Sequence, residues 1–526
     1  MNKKTILVLA IAALVALPVA AMGAVSAPTS PGAFEFTLGG YVKMEADWDS
    51  TYTNINMVSP IARSNDPSGQ HGRLKMTANN SRFNFTVKGP KVFGAQVTGF
   101  LEFDVSANGG QLSGAVGTID TAAAFRMRHA MFRLNWPETE LLLGQYWGFF
   151  SEFTPEAAQD GCLQNTGSAV QRMPQIRLTQ KFLGTYTLSA MIAAPTNMYD
   201  SITQAAFIPW NGIAANANIG GVPNLPGETT ETPQVQLKAA YEKDLWGKAA
   251  FYGVPRGFVA QVAAAWQRTR YRAGVIAGHS TFGQDQFNLL GIGASGFGGV
   301  TGMNTAQWVR NQEYLDPWIV QASLFIPVIP TTTANLAGTA SISTQWYIGA
   351  GTDFVGEGVA SNGSFLMFNN PGMTPANAAV NFYTRQLKKS FGGFIQGQYY
   401  FTNQWYMNFV YGMNRAFGVS RDRNAACVTA ANPEGYMIAL PADMYNLWQS
   451  YNLTLWYRPV QALKFGVQYS YARTTYFQIT QAGMINVPGT GAAANPAIGL
   501  PAVPGGQQRS NFGENHRVMF AGFFYF

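Results

Sequence analysis

The stretch FEFTLGGYVKMEADWD, residues 34–49, decides the fold class because its side chains alternate between two kinds. Apolar side chains fall on one face, at Phe36, Leu38, Val42, Met44, Ala46 and Trp48. Polar or charged side chains fall on the other, at Glu35, Thr37, Tyr41, Lys43, Glu45, Asp47 and Asp49. A period of two is the period of a β-strand. Such a strand fits either a sheet over a soluble core or a barrel wall between lipid and water.

Sixteen alternating segments follow one another along the chain. They lie approximately at 34–49, 72–88, 91–106, 124–136, 139–149, 174–183, 185–194, 233–243, 257–269, 317–328, 337–349, 388–402, 404–415, 448–458, 462–473 and 512–526. Long gaps alternate with short ones, the long gaps being 50–71, 107–123, 150–173, 195–232, 270–316, 350–387, 416–447 and 474–511. Outer-membrane barrels have an even strand number, tight turns at one end and long loops at the other. The sequence therefore predicts an all-β fold, a transmembrane antiparallel β-barrel of about 16 strands with long extracellular loops.

The short connections are expected to be tight turns. They are Gly89-Pro90, Pro137-Glu138, Gly184, Thr402-Asn403 and Pro459-Val460. A connection near 244–256 is longer than these and is the weakest point of the strand count.

The composition indicates a membrane protein that crosses the bilayer with β-strands. Hydrophobic residues make up 47% of the chain, aromatic residues 13% and charged residues only 12%, whereas soluble domains are roughly 25% charged. No run of about 18 apolar residues follows the N-terminal segment, so a spanning helix is not expected. The net charge of +7 is too small over this length to indicate nucleic-acid binding.

Both ends of the sequence carry export signals. Residues 1–26 resemble a secretory signal peptide, with Lys3 and Lys4 before an apolar run and cleavage expected between residues 21 and 27. This leaves 27–526 as a single barrel domain exported through the inner membrane. The apolar last strand, which ends in Phe526, resembles the insertion signal that the barrel-assembly machinery reads. We therefore expect a diderm bacterium, an outer-membrane location among lipid, and Phe526 at the periplasmic rim.

Charged residues cluster on the inward faces of a few strands. The basic ones are Arg82, Arg126, Arg128, Arg133, Arg172, Arg177 and Lys181, with Arg133 joining the others if a bulge near Ala130 resets the alternation. Nearby strands supply Glu102 and Asp104. One hypothesis is that the arginines line a constriction and guide anions. The alternative is that they balance the carboxylates without setting selectivity, and both can hold together.

The third long loop, 150–173, is predicted to fold inward as a constriction. It carries aromatic residues, a proline, Glu152 and Glu156. It also carries Cys162, which pairs with Cys427 of the seventh long loop or stays free. The alternative is a surface loop without a role in the pore.

No motif for chemistry is present. The chain lacks CxxCH, CxxC and HExxH, and its four histidines, His71, His129, His279 and His516, are scattered. The sequence therefore predicts no cofactor, no metal site and no enzyme activity.

Several stretches resemble the DcaP-like trimeric porins. They are Ser81-Arg82, RMRHA at 126–130, LLGQYWGFF at 142–150, RMPQIR at 172–177 and His516-Arg517-Val518. The resemblance implies a sixteen-stranded homotrimer that passes small, often anionic, organic solutes. It places Arg126, Arg128 and Arg177 on the pore wall and Gln145 on the strand leading into the constriction loop. Some members carry an N-terminal coiled coil, which is not seen before the first strand here.

The favoured function is an outer-membrane porin for passive diffusion of small hydrophilic, anionic solutes. One alternative is a barrel that sheathes a redox protein in an electron-transfer complex with a cytochrome. Another is a surface adhesin whose long loops are the working part.

Overall fold

The computed structural model describes residues 34–51, 61, 63–64, 69–108, 123–158, 167–195, 232–272, 312–356, 365–369, 383–417, 438–439, 445–476 and 510–526. The predicted signal peptide, Cys162, Cys427 and His279 lie outside these residues.

Twenty-four strands are formed within the described residues. The first twelve are β1 Glu35–Asp49, β2 Arg73–Thr77, β3 Arg82–Val92, β4 Ala95–Asn108, β5 Ala123–Asn135, β6 Thr139–Trp147, β7 Arg172–Phe182, β8 Tyr186–Ala193, β9 Gln234–Lys243, β10 Ala249–Phe251, β11 Val254–Arg256 and β12 Phe258–Trp266. The others are β13 Thr269–Arg272, β14 Gln312–Leu315, β15 Trp318–Ile329, β16 Ala340–Ala350, β17 Phe365–Asn369, β18 Tyr383–Leu387, β19 Lys389–Tyr400, β20 Trp405–Phe417, β21 Ile438–Ala439, β22 Tyr445–Val460, β23 Leu463–Tyr476 and β24 Phe512–Tyr525. Among the described residues, no helix is long and apolar enough to cross a membrane.

Seventeen of these segments form the sixteen strands of a closed antiparallel barrel, which confirms the predicted fold class. They are β1, a second strand split into β2 and β3, β4 to β9, β12, β15, β16, β19, β20, β22, β23 and β24. Strands β1 and β24 close the cylinder, with Trp48 opposite Val518 in their register. Backbone hydrogen bonds of 3.2 Å in both directions join Gly40 to Phe526 at the short-turn end of the barrel.

The alternation of side chains separates a lipid-facing wall from an inner wall. In β1, Phe36 is 75% exposed on the outside, whereas Asp47 is 2% exposed on the inside. With no water in the hydrocarbon layer, every backbone group of such a wall must find its partner in a neighbouring strand. Closure supplies those partners and leaves no strand edge.

Two predicted turns and one predicted strand differ from the structure. The second strand is interrupted at residues 78–81, where the Ser81 hydroxyl donates to the Ala78 carbonyl at 2.9 Å. It then runs past Gly89-Pro90, and the turn lies at Phe93-Gly94, whose φ angles of 52° and 77° suit a two-residue hairpin. Proline cannot donate to the ladder, and the register shifts between Lys88 and Lys91. Similarly, Val460 pairs with Leu463, so the last short turn lies at 461–462 instead of Pro459-Val460.

The long connection at the short-turn end contains a hairpin of its own. Strands β10 and β11 pair within residues 244–257, between β9 and β12. They form a separate two-stranded sheet and add no strand to the barrel.

Candidate pore constriction

The third long loop enters the lumen directly after β6. Phe149 and Phe150 form a short 3-10 turn and are each 1% exposed. The Phe149 amide donates to the Gln236 side chain at 3.0 Å, which ties the start of the loop to the inner face of β9. The loop turns inward because the rings of Phe149 and Phe150 are removed from water when they pack against the inner wall of the barrel.

Further along, the loop reaches the opposite wall. The Glu156 carboxylate accepts hydrogen bonds from Tyr406 at 2.7 Å and from Gln398 at 2.6 Å, and it pairs with Lys464. The Ala158 amide donates to Gln468 at 2.7 Å. These partners lie on β19, β20 and β23, so the loop crosses the lumen. The predicted inward fold of the third loop is confirmed.

The wall beneath the loop is uncharged. Strands β12, β15 and β16 contain no charged residue. Their inward positions carry amides, hydroxyls and apolar groups, including Gln261, Gln321, Ser323 and Gln345, all buried. Uncharged groups suit this wall because it packs against the loop, where an unpaired charge would be costly.

A second wall, on β3 to β7, carries most of the predicted charged residues. Arg126 binds both oxygens of Asp104, at 3.0 and 2.8 Å. Arg128 is fully buried; it donates to Glu102 at 2.8 Å and also pairs with Asp104. Arg82 lies 3.8 Å from Glu102. The predicted balancing of arginines by Glu102 and Asp104 is therefore present in the geometry.

A β-bulge allows this cluster to form. Glu102 pairs with His129 and Phe103 with Met127, so Arg128 is the extra residue and both Arg128 and His129 are buried. The Gln145 side chain donates to the Arg128 carbonyl at 3.0 Å and satisfies the displaced backbone. The bulge was expected near Ala130 and lies two residues earlier.

Glu140 is a charged residue of this wall that the sequence prediction missed. It accepts from Arg133 at 3.3 Å and from Arg177 at 3.1 Å. Both guanidinium groups also lie within 6 Å of the Tyr146 ring. The sequence did contain a signal for Glu140. It lies two residues before the inward-facing Leu142, and alternation puts residues two apart on the same face of a strand.

Arg172 differs from the other arginines of this wall. Its guanidinium lies 5.0 Å from the Trp147 ring, which also faces Arg128 at 5.7 Å. Within the described part of the chain, Arg172 makes no ion pair and its Nη1 has no hydrogen-bond partner. Arg172 is thus the candidate whose charge is least neutralised by its surroundings.

The remaining predicted residues make no ion pair with this arginine cluster. Lys181 is exposed next to the turn at 183–185. Glu152 on the third loop pairs with Lys238. Among the described residues, the charged wall then holds six arginines against three carboxylates: Arg82, Arg126, Arg128, Arg133, Arg172 and Arg177 against Glu102, Asp104 and Glu140.

Comparison with solved structures identifies the architecture. The outer-membrane channel DcaP of Acinetobacter baumannii is similar at a TM-score of 0.55 and 14% identity, over 94% of this chain and 99% of that one. The chain has the fold of an outer-membrane porin. At this identity the likeness shows the fold, and the predicted DcaP-like resemblance is confirmed at that level.

Other solved structures are more distant. The trimer form of OmpT of Vibrio cholerae matches at a TM-score of 0.45 and 7% identity, over 94% and 100% of the two chains. OmpF of Salmonella typhi matches at 0.44 and 11%, over 94% and 98%. No protein-family model matches this chain, and no curated protein matches it significantly.

Proposed function

We propose that this chain is an outer-membrane porin through which small hydrophilic solutes diffuse passively, with a preference for anions. The observation that carries the anion preference is the surplus of arginine over carboxylate on the charged wall. In a narrow aqueous passage between low-dielectric walls, fixed charges act on ions far more strongly than in bulk water. Six arginines against three carboxylates leave that wall net positive.

The described part of the third loop, residues 150–158 and 167–173, does not offset this surplus. Its two described carboxylates, Glu152 and Glu156, each pair with a lysine, Lys238 and Lys464. The described part of the loop therefore presents little unpaired negative charge to a solute that passes between it and the arginines. This argues against a cation-selective pore.

Location and assembly complete the proposal. Residues 1–26 would direct export and be removed, and Phe526 would lie at the periplasmic rim after insertion by the assembly machinery. The short-turn end is then periplasmic and the long loops extracellular. The resemblance to DcaP-like porins supports a homotrimer joined through the lipid-facing wall. Cys162 and Cys427, if paired, would staple two long loops.

Reversal potentials across a planar bilayer with a KCl gradient test the proposal. The purified wild-type protein should conduct and its reversal potential should have the sign of an anion-selective pore. Cation selectivity would overturn the anion preference, and absence of conductance from folded protein would overturn the porin function itself.

The geometry weighs against the redox sheath. A protein threaded through the barrel would meet the third loop, whose Glu156 is bound to three side chains of the far wall.

An adhesin would need the long loops and not the pore. Deleting those loops would then abolish surface attachment and leave conductance intact, whereas changes at the charged wall would leave attachment intact.

A further inference from the structure

The connection between β9 and β12 folds back into the barrel instead of turning tightly. Lys243 and Phe258 are direct partners in the barrel register, so two residues would be enough to join their strands. The chain instead uses residues 244–257, which include the β10–β11 hairpin with Tyr252-Gly253 at its tip. Both tip residues have positive φ, 50° and 78°, the geometry of a tight hairpin turn.

The hairpin lies against inward-facing side chains. Ala249 and Ala250 are 0% and 1% exposed. The Phe251 ring lies 5.1 Å from the ring of Phe325, an inward residue of β15. The Ala250 carbonyl accepts from the hydroxyl of Ser341, an inward residue of β16, at 2.9 Å.

Its base and its tip are both held. At the base, Lys248 and Thr331 exchange two backbone hydrogen bonds of 2.9 and 2.7 Å. At the tip, a Cβ on Gly253 would lie 3.8 Å from Tyr400 Oη and 3.8 Å from Arg458 Nη1. Those residues belong to β19 and β22, well around the barrel from β9. The hairpin thus extends across the short-turn mouth.

The hairpin also contacts the third loop. The Tyr252 hydroxyl lies 2.9 Å from the Thr154 hydroxyl and bonds the Thr154 carbonyl as well. The Phe251 and Phe153 rings meet edge to face at 5.7 Å. Phe153 is fully buried between the hairpin and the barrel wall.

One arginine joins these aromatic groups to the wall. The Arg256 guanidinium lies 4.6 Å from the Phe251 ring and 5.7 Å from the Phe153 ring. It binds both carboxylate oxygens of Glu242, at 3.1 and 2.9 Å. A planar guanidinium can stack on a ring and bind a carboxylate at the same time. Arg256 is therefore placed to hold both elements against β9.

We propose that the β10–β11 hairpin is a second constriction element, which supports the third loop from the short-turn end and sets the size limit of the pore. The proposal rests on the porin function proposed above. Hairpin and loop both pack on the uncharged wall, so together they close that side of the lumen. Solutes are left a passage along the charged wall, past Arg126, Arg172 and Arg177.

Replacing residues 244–257 by Asn-Gly tests the size limit. Asn-Gly suits a two-residue turn between Lys243 and Phe258. Single-channel conductance should rise about twofold, because removing a constriction widens the conducting cross-section. Larger neutral sugars should enter proteoliposomes that exclude them with the wild type. The anion preference should persist, since the arginine wall is unchanged.

A matched turn replacement serves as control. Changing Gln461-Ala462 to Asn-Gly alters another short turn and should change neither conductance nor sugar cutoff. Heat-modifiable gel mobility confirms that each variant is folded. Unchanged conductance and cutoff in the folded 244–257 variant would overturn the second constriction while leaving the porin function standing. A wild type that does not conduct would overturn the porin function instead.

Point variants test the support of the third loop without removing the hairpin. Tyr252→Phe should increase brief current fluctuations, because it removes the bonds from the Tyr252 hydroxyl to both the hydroxyl and the carbonyl of Thr154. Thr154→Val should increase them less, since the Thr154 carbonyl still accepts from Tyr252. The double variant should fluctuate no more than Tyr252→Phe, because that change already breaks both bonds. Tyr451→Phe, on the lipid-facing side, is the control. Additive effects, or wild-type noise in all three variants, would overturn the coupling.

Discussion

Burial and pairing give the arginines of the charged wall different roles. Arg128 is fully buried, and its charge is neutralised by Glu102 and Asp104, so these ion pairs link β5 to β4. Arg126 is paired yet partly open to the lumen, with 36% of its side chain exposed. Arg172 has an aromatic neighbour and, among the described residues, no carboxylate partner. The ion pairs agree with the balancing hypothesis for Arg128, and we propose that Arg172 is a member of the cluster that guides anions.

Arg172→Gln should weaken the anion preference. The change removes one positive charge without freeing a carboxylate, so the chloride-to-potassium permeability ratio should fall about twofold. Reversal potentials under a KCl gradient provide the measurement. Arg415→Gln, on the exposed outer face of β20, is the matched control and should leave the ratio unchanged. An unaltered ratio in Arg172→Gln would exclude this residue from selectivity.

Asp104→Asn should destabilise the barrel and increase its anion preference. Breaking a buried ion pair costs about 3–5 kcal/mol because the partner charge stays buried. Urea unfolding in lipid vesicles measures the loss, and reversal potentials measure the selectivity. Glu35→Gln breaks an exposed pair with Lys88 and should cost less than about 1 kcal/mol. Equal losses in the two variants would show that burial does not strengthen the Asp104 pairs.

Within the described residues, the third loop is held at its start and again at Glu156, with the hairpin contacts of Phe153 and Thr154 between them. Near β6 it is packed by Phe149 and Phe150, and at the far wall Glu156 gathers Tyr406, Gln398 and Lys464. Contacts at two points on opposite sides of the barrel restrict the movement of this segment within the lumen. The uncharged wall of β12, β15 and β16 makes this packing feasible.

Glu156→Ala should release the loop from the far wall. It removes the acceptor for two hydrogen bonds and leaves Lys464 without this carboxylate, so current noise and mean conductance should both increase. Single-channel recordings measure both quantities. Glu152→Ala is the control, since Glu152 is 39% exposed and has one ion pair, and its noise should change less. Equal noise in the two variants would contradict the anchoring role of Glu156.

The barrel as a whole divides its lumen into two unlike halves. Within the described residues, most charged inward residues lie on β1 to β7 and on neighbouring β24, whereas β12, β15 and β16 on the opposite side carry none and are covered by the third loop and the hairpin. Lys238 on β9 and Lys464 on β23 are paired with carboxylates of the third loop. Positively charged side chains along one side of an aqueous passage produce an electric field that dissolved salt can screen.

The anion preference should therefore decline as ionic strength rises. The Debye length falls from about 10 Å at 0.1 M to about 3 Å at 1 M salt, so fixed charges act over a shorter distance. Reversal potentials measured at a constant KCl ratio and increasing absolute concentration test this. A preference that does not depend on salt would indicate a direct binding site instead of a field from the wall.

The strand pattern was predictable because alternation is a local property of the chain. The positions of β1, β7, β9 and β24 agree with the predicted segments to within two residues, and the inward faces of Arg126 and Asp104 followed from the same period. The turns at Phe93-Gly94 and 461–462 were misplaced because strong turn residues nearby, Gly89-Pro90 and Pro459, instead accompany shifts of register within strands.

The sequence by itself determined a closed barrel of sixteen strands, its lipid-facing surface and the identity of most charged lumen residues. The tertiary structure decided which charges neutralise one another and what fills the lumen. Ion pairs such as Arg177 with Glu140 depend on the register between strands, and the bulge at Arg128 shifts that register by one residue. The third loop and the β10–β11 hairpin meet only because the closed cylinder brings Thr154 and Tyr252 together, 98 residues apart in the chain.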